Sequence, residues 1–479
     1  MVKVDFGSRQ SFERGDVAIV GIVLDNDHFL LIEPLDDLVR HCRLPRATST
    51  GDADDDCVHW IWITLWSIPE IASNIPDSAP ISKQPRTSLQ VCITEENFLV
   101  SGRLKILDLR ITSHMILALA IILTSAYVLL FCLFIYGISR LKATKHGIGE
   151  PTVSIVVAAR NEEDTIHRSL ESLADLDYPV DKLEVVLVDD QSTDRTHEIM
   201  QSAANRNGHF KVVSVTGQEG HLRGKANAIA IGIDQSHGEI IFLTDADCVV
   251  PRSWIKAMLN EYDERIGLVA SYTLLDSNNS FEGMQSLDWA FLHTLAAGGV
   301  GLRRPLSCFG NNLTFRRRAY DEVGGYRTLP FSVTEDFALF TAITRRRSWK
   351  YAYLLSPDSL VMSLPCRTLG ELLRQKKRWV VGGLDMKVKG ILLMALGFCV
   401  NTLLLLLPIL GFSLFSVLAV WIPKILIDAL ILAIPLRRIR SLSFMKYFPA
   451  FEVYYFLYIL ALPFFAFFGR KVRWKGRQF

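Results

Sequence analysis

Ile240-Ile241-Phe242-Leu243-Thr244-Asp245-Ala246-Asp247 is the stretch from which the rest of the chain can be read. Apolar and β-branched residues run straight into two aspartates separated by one small residue, the pattern of a buried strand with Asp245 and Asp247 at its tip. Two such carboxylates offer hard oxygen ligands to a divalent cation, and a cation there would hold the phosphates of a nucleotide. An Asp-x-Asp pair equally suits a solvated turn or a helix cap, so its neighbours decide. Upstream, Val153 to Ala159 is a β-type run followed by Arg160-Asn161-Glu162-Glu163. Leu183 to Val188 is a second run, ending in Asp189-Asp190-Gln191-Ser192-Thr193-Asp194. Val212 to Val215 is a short third strand, and Gly224-Lys225-Ala226 opens a helix. Strands alternating with helices predict an α/β fold with an open, mostly parallel sheet, whose ligands gather at the carboxyl ends of the strands. Polar residues commonly follow buried strands, but three acidic strand ends on one sheet favour a site.

Size and composition set the frame. At 479 residues and 54.0 kDa the chain has room for more than one domain with a sizeable core. A net charge of +2 and a pI of about 8.1 are too mild for a nucleic-acid partner. A mean hydropathy of +0.24 is high for a soluble enzyme and points to membrane segments. The 8 cysteines show no CxxC pair and no zinc-type spacing with histidine, which argues against a disulfide framework or a structural metal. Cys248 and Cys132 read as small apolar fillers.

Residues 1–114 carry the least signal. Val17 to Val20 and Phe29 to Ile32 are expected as two strands around Asp25-Asn26-Asp27. The acidic run 52–56 and the proline-spaced stretch 69–85 read as loop or disorder, and Trp60, Trp62 and Trp66 show no chemistry. Met115 directly precedes a membrane-type run, so 1–114 is expected to be a poorly ordered extension or an over-long start. Residues 115–138 are uncharged, apolar and long enough to cross a bilayer. Arg140, Lys142 and Lys145 after them place the following domain in the cytoplasm, although Arg103, Lys105 and Arg110 compete from the other side. The domain itself is expected over 151–389.

Beyond Val250, Gly310-Asn311-Asn312 and the turn Val323-Gly324-Gly325-Tyr326 stand out. Thr334-Glu335-Asp336 begins a helical run, and taken alone it suits an N-cap with two acids favouring the helix dipole. Arg374-Gln375-Lys376-Lys377-Arg378-Trp379 lies on a further helix and equally suits a basic face near a membrane. Residues 390–468 hold about three further spans: Gly390 to Leu410, Phe412 to Ile434, and Phe448 to Phe468 with Pro463 inside it. Lys387 and Lys389 before the first pair, and Arg437, Arg438, Arg440 and Lys446 after it, put both flanks in the cytoplasm. A third crossing places the basic tail of Arg470, Lys471, Arg473, Lys475 and Arg477 outside, against that rule. Lys424 and Asp428, four apart, are expected to pair on one helix face.

From Pro151 to about Lys389 the chain resembles membrane-bound family 2 glycosyltransferases, the group that includes cellulose, hyaluronan and poly-N-acetylglucosamine synthases. The resemblance rests on an ordered set: Val-x-x-Ala-Arg-Asn-Glu from Val156, Val188-Asp189-Asp190-x-Ser192-x-Asp194, Gly224-Lys225-Ala226, Asp245-Ala246-Asp247, Thr334-Glu335-Asp336 and Gln375-x-x-Arg378-Trp379. It implies a GT-A type nucleotide-sugar-binding α/β domain flanked by transmembrane helices. It also implies that Ala159, Arg160 and Glu162 sit by the uridine, that Asp190 with Asp189 binds base or ribose, and that Lys225 holds the nucleotide. Asp245 and Asp247 would bind Mg²⁺ or Mn²⁺ and, through it, the diphosphate. Asp336 would be the general base and Arg378 would offset charge on the departing diphosphate. Trp379 with Gln375 would meet the acceptor, with Asn311 and Asn312 nearby.

The chemistry agrees with those roles. A departing diphosphate needs electrophilic help, and an attacking hydroxyl needs a carboxylate. One base without a nucleophilic carboxylate predicts inversion at the anomeric carbon. The expected protein is thus a multi-pass membrane enzyme with a cytoplasmic catalytic domain, a nucleotide-sugar donor and a polysaccharide or lipid acceptor. It would contact membrane lipids and could take an accessory membrane subunit. The alternative is a catalytically inactive nucleotide-binding subunit that assists another transferase; a transporter is disfavoured by the few spans.

Overall fold

Three near-continuous apolar runs lie side by side at the centre of the computed structural model. They are strands β1 (Val153–Ala159), β2 (Leu183–Asp189) and, after the edge strand β3 (Phe210–Ser214), β4 (Ile240–Asp245). The structure describes residues 95–141, 147–383 except 219, 331, 333 and 347, and 388–467, with short strands inside 19–34, 62–64, 88–90 and 473–478. Within these, side chains are described for 112–141, 147–380 and 390–464. The runs 52–56 and 69–85, the Asp25–Asp27 turn, Trp60, Trp66, Lys142, Lys145, Lys387, Arg470, Lys471 and Lys475 lie outside the described residues.

The chain divides into two units, Met1–Ile116 and Leu117–Phe479. In the first, Ile19–Leu24 pairs antiparallel with His28–Pro34, as the sequence suggests, and Trp62–Thr64 pairs with Ser88–Gln90.

In the second unit the four expected strands are joined by three more: β5 (Ile266–Ser271), β7 (Leu313–Arg316) and β8 (Lys350–Leu354). A separate parallel pair is formed by β6 (Thr273–Leu275) and β9 (Val361–Ser363). The seven-stranded order is β8-β5-β7-β4-β1-β2-β3, parallel throughout except for β7, which runs antiparallel to both of its neighbours. Strands covered on both faces need no alternation, which explains the unbroken Val and Ile runs. Register aligns the strand ends: Ala158 pairs with Asp245 and Ala159 with Asp189, so the acidic tips lie along one edge.

Helices complete the unit: α1 (Glu95–Ser139) from Leu117 onward, α2 (Ile166–Ala174), α3 (Thr196–Arg206), α4 (Gly224–Asp234), α5 (Ser280–Gly301), α6 (Glu335–Arg345), α7 (Leu369–Gly383), α8 (Val388–Ile409), α9 (Leu414–Arg438) and α10 (Phe448–Phe467). Among the described residues, four helical stretches are long and apolar enough to cross a membrane: Thr112–Ser139, Gly390–Ile409, Leu414–Arg438 and Leu442–Phe464. The α5 helix joins them to the sheet, packing on α9 and α10 and against α1. That last contact requires glycine, since a Cβ at Gly301 would lie 1.9 Å from the carbonyl oxygen of Gly137. Arg438 at the end of α9 donates to the carbonyl of Ile138 at 2.8 Å, so the ends of α1 and α9 meet. Lys424 and Asp428 pair as the four-residue spacing suggests, at 2.9 Å.

Candidate active site

A cleft of about 280 Å³ opens beyond the carboxyl ends of β1 and β4. Its floor comes from strand and helix ends: Ala158, Glu162, Lys225 from the first turn of α4, and the Asp245–Asp247 tip. One wall comes from Gly310, Asn311 and the first turn of α6, the other from Gln375, Arg378 and Trp379 on α7. Residues scattered over more than two hundred positions of sequence thus converge on one volume.

The floor is a balance of charges. Lys225 Nζ lies 2.5 Å from Asp245 Oδ1 and 3.7 Å from Glu335 Oε1. Burial works against the Lys225 charge, but these carboxylates outweigh it and raise its pKa above the ordinary lysine value. Asp247 accepts from Ser363 Oγ at 3.2 Å; burial, then repulsion from Asp245 and Glu162, pushes its carboxyl up to about 6. Glu335 is pushed up to about 7 by burial, with Lys225 opposing.

Asp336 is held by two backbone donors, Gly310 N–H to Oδ2 and Phe337 N–H to Oδ1, both at 2.7 Å. Burial raises its pKa, opposed by Lys225 and those two N–H groups. Gly310 leaves the room, since a Cβ there would sit 3.1 Å from the Asp336 Cβ. Thr334 is not a side-chain cap: its hydroxyl faces Ser332 Oγ at 3.1 Å, while Glu335 and Asp336 line the cleft. Burial lowers the Arg378 pKa and the carboxylates Glu335 and Asp245 oppose that.

Of the residues singled out in the sequence, Glu162, Lys225, Asp245, Asp247, Asn311, Asp336, Gln375, Arg378 and Trp379 line the cleft. Ala159, Arg160, Asp189 and Asp190 lie at the adjoining strand ends, outside its lining. There the Arg160 guanidinium donates to the carbonyls of Asp190 at 2.5 Å and Gln191 at 3.1 Å, and Asp189 Oδ1 accepts from Ser192 N–H at 3.1 Å. Asn312 turns into the core, donating to the carbonyls of Tyr272 at 2.8 Å and Ser359 at 2.9 Å and accepting from Trp254 Nε1 at 3.0 Å. Asn311 accepts from Thr273 Oγ1 at 3.2 Å, while its amide nitrogen is buried without a hydrogen-bond partner among the described residues. The sequence gives no separate sign of the cleft residues Arg223, Trp289 and Phe309, which belong to no acidic strand end. Glu335 stood beside Asp336 in the sequence, but only its proximity to Lys225 reveals a part in the cleft.

The donors suit a divalent cation. Burial and the carboxylates of Asp245 and Glu162 disfavour the Asp247 charge, which a cation there would stabilise, and Asp245 already accepts from the Lys225 ammonium. No group of three or more His, Cys, Asp or Glu able to hold a metal occurs among the described residues, so phosphate and water oxygens would complete the shell. That is the usual way Mg²⁺ is bound.

Residues 115–479 match the model of glycosyl transferase family 21. The chain belongs to that family. The family 2 type suggested by the motifs is borne out by relatives of this family 21 chain. A beta-monoglucosyldiacylglycerol synthase of Synechocystis sp. is 31% identical over 241 residues, 49% of this chain and 48% of its own length. A poly-beta-1,6-N-acetyl-D-glucosamine synthase of Staphylococcus epidermidis is 28% identical over 240 residues, 48% of this chain and 54% of its own length. The chain thus spans about half the length of the curated relatives it matches. Among solved structures, a mannosyltransferase of Pyrobaculum calidifontis in complex with GDP-Man and Mn²⁺ is 21% identical. It covers 71% of this chain and 98% of that chain, with a TM-score of 0.49. The mixed, mainly parallel sheet of the family 21 chain is the open α/β sheet that the sequence predicts.

Proposed function

We propose that this family 21 chain is a membrane-embedded, inverting glycosyltransferase that moves a sugar from a UDP-sugar to a hydroxyl of a lipid or polysaccharide. The observation that carries the reading is the meeting, in one cleft, of a backbone-held carboxylate (Asp336), a guanidinium (Arg378) and the Asp245–Asp247 pair.

Asp336 takes the proton of the acceptor hydroxyl as its oxygen bonds to the anomeric carbon, and the bond from that carbon to the diphosphate oxygen breaks. The nucleoside diphosphate leaves with the electron pair. Arg378 and Lys225 supply positive charge where negative charge grows. Mg²⁺ or Mn²⁺ held by Asp245 and Asp247 would add Lewis-acid help to the leaving group. With Asp336 as the base, Glu335 beside Lys225 and Asp245 and Asp247 given to the metal, no carboxylate is assigned as nucleophile and inversion is predicted. Arg160, Asp189 and Asp190, at the adjoining strand ends, are assigned to the base and ribose. Asn311 and Trp379 are assigned to the acceptor, and Asn312 holds the strand that carries Asn311.

A lipid acceptor is favoured because α7, which supplies one wall of the cleft, packs on the candidate span α10. Family 21 membership and the glycolipid-synthase relative agree with it. A cytoplasmic catalytic side is supported by Arg437, Arg438 and Arg440 at and just after the end of α9, under the positive-inside rule.

Membranes containing the protein are to be tested with radiolabelled UDP-sugars, with and without EDTA, and the product sized. Transfer lost on chelation, giving a single-sugar lipid, is expected; a polymer would favour the synthase reading, and activity unaffected by EDTA would remove the metal. Asp336→Asn should lower turnover by about 10²–10⁴-fold while the donor still binds. Equal turnover by that variant would overturn the assignment of the base, whereas no transfer by the parent with any UDP-sugar would favour the accessory, non-catalytic role.

A further inference from the structure

Lys376 lies inside the Gln375–Trp379 motif, where a solvated helix would place it on a basic face. The structure turns it inward: its side chain is 1% exposed and its ammonium is paired with Asp288 of α5, itself 3% exposed. The Tyr454 hydroxyl of α10 donates to Asp288 Oδ2 at 3.3 Å. The ammonium stands 4.1 Å from the centre of the Trp379 ring, one turn along its own helix, and 5.3 Å from that of Tyr458. Trp289, next to Asp288 on α5, meets Trp379 edge-on with centroids 5.5 Å apart, and both rings line the cleft. One buried cation therefore gathers α5, α7 and the candidate span α10 beside the cleft wall.

Apolar packing alone is non-directional and would hold α7 in several rotations about its axis. Two charges withdrawn from water cost more than apolar side chains of the same volume, and the best-attested use of such a pair is to fix register. Here the pair and the ring above it fix the side of α7 that faces α5, and with it the angle at which Trp379 enters the cleft.

We propose that Asp288 and Lys376 are a positioning pair that sets the aromatic acceptor wall, Trp289 and Trp379, by locking the rotation of α7 against α5 and α10. The proposal rests on the transferase reading above. Neither residue lines the donor floor, so their loss should raise the acceptor KM and, because Arg378 shares α7, lower turnover, while the donor KM holds.

The test uses the full chain in detergent, with UDP-glucose as donor and dioctanoylglycerol in mixed micelles as acceptor. The matched neutral variant Asp288→Asn/Lys376→Met avoids leaving a lone buried charge. Its acceptor KM should rise about tenfold, the scale of coupling between contacting residues. Its donor KM should stay within about twofold of the parent, a split that general loosening of the fold would not produce. The single change Lys376→Met should be worse than the double, because Asp288 is then buried unpaired. An unchanged acceptor KM in the double variant, or equal effects on donor and acceptor, overturns the positioning role. A wild-type protein inert with every UDP-sugar of the radiolabelled test above overturns the transferase reading, and the inference falls with it.

Discussion

Asp336 combines two opposed demands in one side chain. Two backbone N–H groups fix its oxygens and favour the charged form, yet burial raises its pKa from the ordinary aspartate value. A base must be ionised to accept a proton, so activity is expected to fall as the pH drops through that raised value. The acid limb of kcat/KM should therefore lie above the range of an ordinary aspartate. Lys225 is the largest influence opposing the rise. Lys225→Met removes it, so the limb should move to still higher pH, alongside weaker donor binding. A pH–rate profile of the two proteins checks the sign; a limb that moves down, or not at all, would mean that another group limits the rate.

At the scale of elements, the loops after β1 and β2 act as one piece. Asn161 and Gln191 both adopt left-handed backbone, with φ of 52° and 59°. Asn161 Oδ1 accepts from Thr193 N–H at 2.8 Å, and Ser192 Oγ accepts from Asn161 N–H at 3.1 Å. Asn161→Val loses the side-chain bond and places a β-branched residue in that region, a cost of about 1–2 kcal/mol. Asn161→Gly keeps the backbone and loses only the side-chain bonds, so it should melt closer to the parent in a thermal-shift comparison. These loops and strands β1, β2 and β4 were legible because each is an apolar run with acids at or just beyond its end, and β3 as a short β-branched run. The antiparallel strand β7 was not: four residues, Leu313-Thr314-Phe315-Arg316, carry no periodicity that distinguishes them from loop, and only pairing with β4 and β5 makes them a strand. Asn312 shows the same limit in the site, since its neighbour Asn311 lines the cleft while Asn312 is spent on Tyr272, Ser359 and Trp254. Adjacent, chemically identical residues part company only in three dimensions. Trp289 was equally hidden, because a tryptophan on a largely buried helix reads as core until Trp379 is brought to it.

For the whole molecule, the question is what holds the candidate spans to one another where lipid replaces water. Apolar side chains gain little from meeting each other there, so polar contacts take a larger share of the specificity. Lys424 of α9 pairs with Asp428 at 2.9 Å and with Glu452 of α10 at 2.6 Å, and Tyr127 of α1 donates to Asp428 Oδ1 at 2.8 Å. Three spans thus share one network built on a single ammonium. Lys424→Met strands two carboxylates among apolar helices, and breaking a buried pair by removing one partner costs about 3–5 kcal/mol. The triple change Lys424→Met/Asp428→Asn/Glu452→Gln keeps the volumes and removes every charge, so it should recover much of that loss. Thermal unfolding in detergent micelles would compare the three proteins. If the single variant melts with the parent, the spans are held by packing alone. If the triple variant fares no better than the single, the network's worth lies in its hydrogen bonds rather than in the balance of its charges.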